Sequence, residues 1–438
     1  MDYKIIYYYY DSKNINYIED NCNELKTLDK LKINWKENKF HSFRMFENYE
    51  NTHTDLIRFK NDFNIWVNEI KSVKLKVGRK NKFYHLDYKK YFSHNDAVYY
   101  FFSSKLSKEK LELFESVNEE EFYIFERCLN SGLICLNLDY KNIPTDCYGY
   151  DFSRYYTNLL LDLKIPMCPG IKRKLDNLDF DNLDFGIYRV KIEYTNKDFT
   201  NIFNFNSENH YTSSTLYYLN KIKDKYGLKL TLLVDYDDYN YNCYTYNKND
   251  LILGKTLFND WFKALETIRK EFPKNRLVKH LMSSLWGTLC SYKKIYISED
   301  EIENYDISYI DDNEKSEYKI LNHIEDKYKI VKSSNAYNYG LARIKPFLTA
   351  FGRLKIMKFV HKCDIEKSLV RIHTDGLVFN KKIDFEKYNL DYYPMPEDKS
   401  TGKINYHNSL YGYHVCPSCL SEFRYKNYIS HLTECKKC

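Results

Sequence analysis

The sequence lacks any long apolar run. No stretch of its 438 residues approaches the roughly 18 consecutive apolar residues of a membrane-spanning helix. The first residues, MDYKIIYYYYD, also lack the apolar segment of a secretory signal, because the run soon reaches the charged Asp11. These absences favour a non-secreted, intracellular protein that has no membrane segment.

The chain also lacks a strong excess of charge of either sign. Its 67 Lys and Arg against 61 Asp and Glu give a formal net charge of +6, which permits a polyanionic partner without requiring one. Glycine and proline are scarce, at 13 and 8 residues, whereas hydrophobic residues make up 43%. This composition excludes a wholly disordered chain and predicts two or three packing units with a sizeable core.

Twelve cysteines in a chain without a secretory signal predict reduced thiols or a metal site rather than a disulfide framework. Four cysteine and histidine residues near the C-terminus follow the spacing C-x2-C-x11-H-x3-C: Cys416, Cys419, His431 and Cys435. This spacing matches a tetrahedral Zn²⁺ site with thiolate and imidazole ligands. Cys438 is an alternative ligand to Cys435, and a chance grouping of unrelated thiols is the alternative to a zinc site.

Three other segments carry residues suited to phosphoryl transfer. In the first, Asp151 ends a predicted strand and the chain continues as DFSRYYT. In the second, Lys279 opens KHLMSSLWG on a predicted helix. In the third, Asp375 lies at the tip of a predicted hairpin, LVRI-HTDG-LVFN.

Carboxylates at adjacent strand ends can hold two divalent cations about 3.5–4 Å apart, and Mg²⁺ favours such oxygen ligands. A lysine on a separate helix can bind a triphosphate as a compact positive charge. Each signal is weak alone, because strand-end aspartates are often turn residues or caps, helix lysines are often only solvated, and Asp-Gly suits ordinary hairpin turns. The three segments in this order are a more specific signal than any one of them alone.

In that order, the segments resemble motifs A, B and C of the family B DNA polymerases, most of all the protein-primed type of phages, linear plasmids and eukaryotic DNA viruses. DFSRYYT resembles motif A (DxxSLYP), KHLMSSLWG resembles motif B (KxxxNSxYG) and IHTDG resembles motif C (YxDTDS). The resemblance covers roughly residues 120–412 and includes the flanking GLICLN, FGIYRVKI and RIKPFLTAFGRLK.

The resemblance implies roles for residues of motifs A and C. Asp151 and Asp375 would be the catalytic ligands of Mg²⁺ or Mn²⁺, and the backbone carbonyl of Phe152 would be a further ligand. Tyr156 would lie under the deoxyribose and exclude a 2′-hydroxyl. In motif B, Lys279 would contact the triphosphate, and two further residues would line the nascent base-pair pocket: Ser284 and Trp286.

The implied fold is α+β: a right-hand polymerase with an antiparallel palm sheet, helical fingers and a small thumb, plus a C-terminal zinc finger. The expected division is an N-terminal region of unknown function (1–120), a first palm segment with motif A and an insertion (121–254), fingers with motif B (255–290), an insertion (291–335), a second palm segment with motif C (336–385), thumb (386–412) and zinc finger (413–438). The acidic segment Ser298–Lys329 is expected to be exposed.

The chain departs from the family pattern at several positions. His373 replaces the first aspartate of motif C, and five further replacements are Arg154, Thr157, Ser283, Trp286 and Gly376. The upstream YxGG-like element is reduced to Asn130-Ser131-Gly132. Residues 1–150 contain no Asp-x-Glu, which proofreading in this family requires, so the N-terminal region is expected to be an exonuclease remnant or a replacement.

The sequence therefore predicts a template-directed DNA polymerase that adds dNTPs to a primer 3′-hydroxyl by two-metal phosphoryl transfer, without proofreading. The alternative is a catalytically weak relative that serves as a DNA-binding or structural replication component. Expected partners are primer-template DNA, dNTPs and, if priming is not by an oligonucleotide, a terminal priming protein. A monomer is expected, and a viral or plasmid replication site in a host cytoplasm fits the localisation.

Overall fold

The computed structural model describes residues 4–10, 14–29, 40–45, 51–72, 75–77, 82–84, 91, 93–234, 241–310, 312, 314–324, 327–385, 396–416 and 419–424. The chain forms two compact units, each made of two separate segments. Unit 1 comprises Met1–Val117 and Leu253–Ala342, and unit 2 comprises Asn118–Ile252 and Arg343–Cys438. Among the described helices, none combines the length and apolarity needed to cross a membrane.

The first half of the chain contributes the early elements of both units. Unit 1 begins with β1 (Lys4–Tyr10), β2 (Asn14–Glu19), β3 (Lys26–Asp29), β4 (Phe40–Arg44), α1 (His53–Ser72), β5 (Leu75–Val77), β6 (Lys82–Tyr84), α2 (His94–Ser103) and α3 (Lys108–Glu112). Unit 2 follows with α4 (Glu119–Arg127), β7 (Ile134–Leu136), β8 (Thr145–Phe152), α5 (Tyr155–Asp162), β9 (Lys164–Pro166), β10 (Ile171–Arg173), β11 (Gly186–Glu193), β12 (His210–Thr212), α6 (Ser213–Tyr226), β13 (Lys229–Leu232), β14 (Cys243–Thr245) and, at its boundary, β15 (Leu251–Leu253).

The second half completes both units. Unit 1 gains α7 (Gly254–Glu271), α8 (Arg276–Ser283), α9 (Leu285–Leu289), β16 (Lys294–Ser298), β17 (Ile307–Tyr309), β18 (Tyr318–Ile324) and β19 (Lys327–Lys332). Unit 2 gains α10 (Ile344–Cys363), β20 (Leu369–His373), β21 (Gly376–Phe379), β22 (Pro396–Tyr406), β23 (Gly412–Val415) and β24 (Glu422–Phe423).

Unit 2 is built on a seven-stranded sheet in the order β24-β23-β22-β8-β21-β20-β7. Side chains alternate between its faces, as expected for strands. Tyr150 and Phe152 of β8 pack with Phe359 of α10 and Phe385, which gives that face an aromatic core. The opposite face carries Asp151. The predicted strand that ends near Asp151 and the predicted hairpin of β20 and β21 are both confirmed.

The N-terminal segment of unit 1 is a four-stranded sheet in the order β3-β2-β1-β4, with β1 parallel to β4. Helix α1 packs on it, and Tyr7 at the centre of β1 contacts Phe43, Phe59 and Phe63. Little in the sequence pattern indicates this sheet, because β1 carries an almost continuous run of Tyr and Ile instead of an alternating pattern.

Helices α7 to α9 follow the predicted helical pair closely. Asn275 is the predicted N-cap of α8, and its side-chain oxygen accepts the N–H of Val278 at 3.3 Å. The helix is interrupted at Ser284, which separates α8 from α9.

The insertion after α9 is more ordered than the sequence indicates. It forms a four-stranded sheet, β16-β19-β18-β17, with a core of Ile297, Ile320 and Ile330. Most described residues of Ser298–Lys329 are exposed or half-buried, as expected, and four are buried: Ser308, Ser316, Lys319 and Ile320. The sequence analysis did not predict the ordered sheet or its small core, to which Ile297 and Ile330 at the edges of the segment contribute.

Candidate active site

The two predicted catalytic carboxylates lie close together in unit 2, Asp151 near the end of β8 and Asp375 in the turn between β20 and β21. Asp151 pairs with Gly376 across β8 and β21, and the N–H of Phe152 donates to the carbonyl of Asp375 at 3.0 Å. A Cβ built on Gly376 would lie 3.9 Å from Oδ1 of Asp151. Antiparallel pairing thus brings together residues that are more than 200 positions apart in the sequence.

Both carboxylates line an open cleft of about 400 Å³ on the same face of the sheet. The other side chains of the cleft include Arg371, His373 and His414. Two carboxylates therefore share the cleft with one guanidinium and two imidazoles. An open cleft of this kind leaves room for a ligand larger than a single ion.

The hairpin tip is held in place by its neighbours. Thr374 adopts a positive φ of 59°, and its N–H donates to the carbonyl of Leu133 at 2.7 Å. Its hydroxyl lies 2.7 Å from Oδ1 of Asp375 and 2.7 Å from the carbonyl of His373, so its one proton is available to either acceptor. These contacts fix the backbone and the carboxylate of Asp375 before any ligand binds.

Gly132 belongs to the short element Asn130-Ser131-Gly132 and lies against the same hairpin. A Cβ at Gly132 would lie 2.6 Å from Cγ2 of Thr374 and 2.9 Å from the hydroxyl of Tyr156. Both distances are too short for a real Cβ. The glycine therefore allows the chain to pass close to two site residues at once.

Tyr156 lies in the first turn of α5 and is largely buried beside Asp375. Burial, with a smaller contribution from the Asp375 charge, raises the pKa of Tyr156 to about 12, although Arg353 acts in the opposite direction. The phenol is therefore neutral near pH 7. Its ring also lies near Gly352 of α10, where a built Cβ would be 3.4 Å from Cε1.

Arg353 is a site residue that the sequence reasoning missed. Its guanidinium donates to the carbonyls of Leu129, at 2.8 Å, and Ser131. Burial lowers the pKa of Arg353 to about 10, so the group stays charged at neutral pH. Arg353 thereby supports the segment that carries Gly132. An arginine within an apolar helical stretch was the signal that could have identified it.

His373 stands where the family motif has a carboxylate. Burial and the charge of Arg371 lower the pKa of His373, and the opposing effect of Asp375 is smaller. The imidazole is therefore largely neutral near pH 7. The site consequently has one negative charge fewer than the motif implies.

The predicted motif B residues lie in unit 1, on α8 and α9. Lys279 and Gly287 are exposed, Trp286 is half-buried, and the apolar side of α8 packs inward. The hydroxyl of Ser284 lies 3.3 Å from Nδ1 of His280. Lys279, Ser284 and Trp286 are thus close in the chain, while Asp151, Phe152, Tyr156 and Asp375 form their own cluster in unit 2.

His280 also contacts a second histidine. The rings of His94 and His280 lie 4.6 Å apart between centroids, and Nε2 of His94 is 3.2 Å from the carbonyl of Arg44. Burial lowers the pKa of His94 to about 3, and burial also lowers the pKa of His280 to about 4. Both imidazoles are neutral in the folded protein near pH 7.

Two of the four predicted zinc ligands, Cys416 and Cys419, lie within the described residues. Cys416 is buried after β23, and its carbonyl accepts the N–H of Leu420 at 3.0 Å in a turn that carries Cys419. His431 and Cys435 lie outside the described residues. No group of three or more metal-ligating side chains occurs in the described residues of the chain, so the structure does not support the zinc finger.

No protein-family model and no curated protein matches this chain. Solved structures do match it. Phi29 DNA polymerase complexed with single-stranded DNA superposes with a TM-score of 0.55 and 11% identity, over 83% of this chain and 59% of that one. Its complex with primer-template DNA gives 0.53 and 12%, over 85% and 61%.

The orthorhombic crystal form of phi29 DNA polymerase gives a TM-score of 0.55 and 10% identity, over 94% of this chain and 87% of that one. In the two DNA complexes, the matched portion is about three fifths of the phi29 chain. Identity at this level supports a common fold. The protein therefore has a mixed helix-and-sheet fold like that of phi29 DNA polymerase.

Proposed function

We propose that this protein is a template-directed DNA polymerase of the protein-primed family B type, which adds dNTPs to a primer 3′-hydroxyl. The observation that carries the proposal is the pairing of Asp151 with Gly376, which places Asp151 beside Asp375 at an open cleft. It is supported by the likeness to phi29 DNA polymerase, whose solved structures include a complex with primer-template DNA and incoming nucleotide substrates.

The donor set suits Mg²⁺ or Mn²⁺. Two carboxylates and the nearby Phe152 carbonyl are hard oxygen ligands, and the cleft leaves space for phosphate oxygens and water. Bound there, the cations would neutralise charge on the phosphates and clamp the attacking and leaving oxygens. Asp151 and Asp375 would hold them, and the Thr374 hydroxyl beside Asp375 would keep that carboxylate oriented.

Tyr156 and motif B would select and hold the incoming nucleotide. The half-buried, neutral Tyr156 ring would pack under the sugar and exclude a 2′-hydroxyl. The exposed Lys279 would bind the triphosphate as a compact charge, with Ser284 and Trp286 beside the new base pair.

We further propose that the N-terminal sheet does not proofread. Its central strand carries the buried Tyr7, whose hydroxyl lies 2.8 Å from Oδ1 of Asp20. The ammonium of the nearby Lys60 donates to the Asp20 and Cys22 carbonyls and to Asn23. A buried cation thus lies at the end of β2 and aromatic rings lie on β1, which is unfavourable for a two-metal carboxylate site.

The C-terminal cysteines are proposed to bind one Zn²⁺ through Cys416, Cys419, His431 and Cys435. Metal analysis of the full chain purified without chelator should then give one zinc per chain. A Cys416→Ser, Cys419→Ser double variant should contain none. An equal zinc content in both proteins would contradict this assignment.

The polymerase proposal is tested by extension of a primed single strand with dNTPs and Mg²⁺ or Mn²⁺. We expect template-directed extension by the intact protein. The second candidate, a DNA-binding relative with feeble catalysis, is favoured by the neutral His373 in place of a carboxylate. Tight primer-template binding without extension under either cation would reject the polymerase and support that candidate.

A further inference from the structure

Arg371 holds a fixed positive charge on the floor of the cleft. It lies on β20, four residues before Asp375, and lines the same cleft as both carboxylates. Its Nε donates to the carbonyl of Ser409 at 2.7 Å and its Nη2 to the carbonyl of Leu410 at 2.9 Å. Its guanidinium carbon lies 5.2 Å from the centre of the Tyr406 ring.

None of these partners carries a negative charge. Within the described residues, no carboxylate lies at ion-pair distance from Arg371. Together with burial, the charge of Arg371 lowers the pKa of His373. The guanidinium is thus held in one place by neutral groups, in a cleft that also contains the carboxylates of Asp151 and Asp375.

Such a group is suited to bind a phosphate. A guanidinium has five N–H donors in a planar arrangement, so it can bond two phosphate oxygens at once, whereas an ammonium acts as a point charge. Two donors are used by backbone carbonyls and another by the Tyr406 hydroxyl, so the remaining donors are available to a ligand. Because the carbonyls immobilise the side chain beforehand, little conformational entropy is lost on binding.

The position along the strand sets the distance from the reaction centre. Strands rise about 3.3 Å per residue, so Arg371 lies roughly 10–13 Å from the hairpin tip that carries Asp375. One strand of duplex DNA has about one phosphate per 3.4 Å of helix axis. For a duplex whose axis runs along β20, the separation corresponds to about three nucleotides.

We propose that Arg371 binds a backbone phosphate of the primer strand about three nucleotides before its 3′ end. The inference rests on the proposed polymerase function, since it is the reaction at Asp151 and Asp375 that places a 3′ end there. The competing role is purely structural, in which Arg371 only fastens residues 408–411 to β20.

The test measures equilibrium binding of a primer-template with a dideoxy 3′ end, in EDTA, over a range of salt concentrations. Arg371→Gln should weaken binding about tenfold, as for loss of one charge-assisted hydrogen bond, and lower the salt slope by about one. Arg371→Lys should keep the salt slope. Arg173→Gln is the matched control, because Arg173 lies on another sheet and faces Asp184 at 3.7 Å.

A primer with one uncharged methylphosphonate at about the third phosphate locates the contact. It should weaken binding by the wild type but add nothing to the defect of Arg371→Gln. Additive losses, or an unchanged salt slope with only a lower melting temperature, would overturn the proposal. If the wild type shows the predicted binding but never extends a normal primer with Mg²⁺ or Mn²⁺, the polymerase function fails and the phosphate contact stands.

Discussion

At the scale of single residues, the clearest prediction concerns Asp151 near the end of β8 and Asp375 just before β21. Asp151→Asn and Asp375→Asn should each lower nucleotide incorporation at least about a thousandfold, because each removes a charge from a site whose catalysis is mainly electrostatic. Primer-template binding should change little. Single-nucleotide incorporation and DNA binding are measured on the same preparations.

The matched control is Asp146→Asn, which removes an exposed carboxylate from the same strand, five residues away. This variant should extend primers at the wild-type rate. Near-normal extension by either site variant would exclude the two-metal assignment.

Tyr156 should control the choice of sugar. Tyr156→Val removes the half-buried ring beside Asp375, so the ratio of ribonucleotide to deoxyribonucleotide incorporation should rise at least about tenfold. Tyr155→Phe is the control, because it loses only the hydroxyl that donates to the Gly352 carbonyl at 2.6 Å. An unchanged ratio in Tyr156→Val would mean that this tyrosine does not face the sugar.

The two half-buried histidines of unit 1, His94 and His280, should make stability depend on pH. The folded pKa of His94 is about 3 and that of His280 about 4, against an ordinary value of 6.5. The unfolded chain therefore binds protons at a higher pH than the folded chain, and stability falls as the pH drops from 6.5 toward 4. The loss should be up to about 1.4 kcal/mol per pH unit for each histidine.

The measurement is urea unfolding of the wild type and His94→Phe at pH 7 and pH 5. The wild type should lose about 2 kcal/mol more than the variant over that range. His53→Gln, an exposed substitution on α1, should follow the wild type. Equal losses in the wild type and His94→Phe would show that His94 titrates normally.

At the scale of elements, one buried ion pair joins α4 to the start of α10. Nη2 of Arg343 lies 2.6 Å from Oε2 of Glu121, its Nε lies 2.9 Å from Oε1, and both side chains are 0% exposed. The Tyr246 hydroxyl also donates to Glu121. Removing one partner leaves a buried charge without compensation.

Arg343→Met should therefore lower the free energy of unfolding by about 3–5 kcal/mol. The double variant Glu121→Leu, Arg343→Met should recover much of that loss, because it removes both charges. Urea denaturation followed by far-ultraviolet circular dichroism measures both. Similar stabilities of the wild type and the single variant would mean that water reaches the pair.

The sequence predicted local elements better than long-range contacts. Three predicted features depend only on neighbouring residues, and the structure confirms them: the hairpin around Asp375, the strand β8 that carries Asp151 and the Asn275 cap. The partners of Arg353 and Arg371 come from distant segments, so no local pattern could indicate them.

At the scale of the whole molecule, the sequence motifs predicted the kind of fold that the comparison with phi29 DNA polymerase supports. They did not predict how the chain is divided. The contacts that define the two units join segments far apart in the sequence, and β1 of the N-terminal sheet has no alternating pattern.

The whole protein should lack proofreading. With a mismatched 3′ end and Mg²⁺ or Mn²⁺, we expect no degradation of the primer, because the buried Tyr7 of β1 and the ammonium of Lys60 on α1 both contact Asp20 at the end of β2. Gel electrophoresis of an end-labelled primer measures this, with Asp151→Asn as the control. Metal-dependent 3′→5′ degradation that persists in Asp151→Asn would reveal a separate exonuclease site.

The division of each unit into two segments has a consequence for synthesis on the ribosome. The Tyr150 hydroxyl on the central strand β8 pairs with Ile383, which lies 233 residues later. At about 5–20 residues per second, that partner emerges roughly 10–50 s after β8. Throughout this interval, the strand that carries Asp151 has an unpaired edge and solvent-exposed aromatic side chains. The nascent chain, rather than the finished protein, is therefore the form most in need of a chaperone.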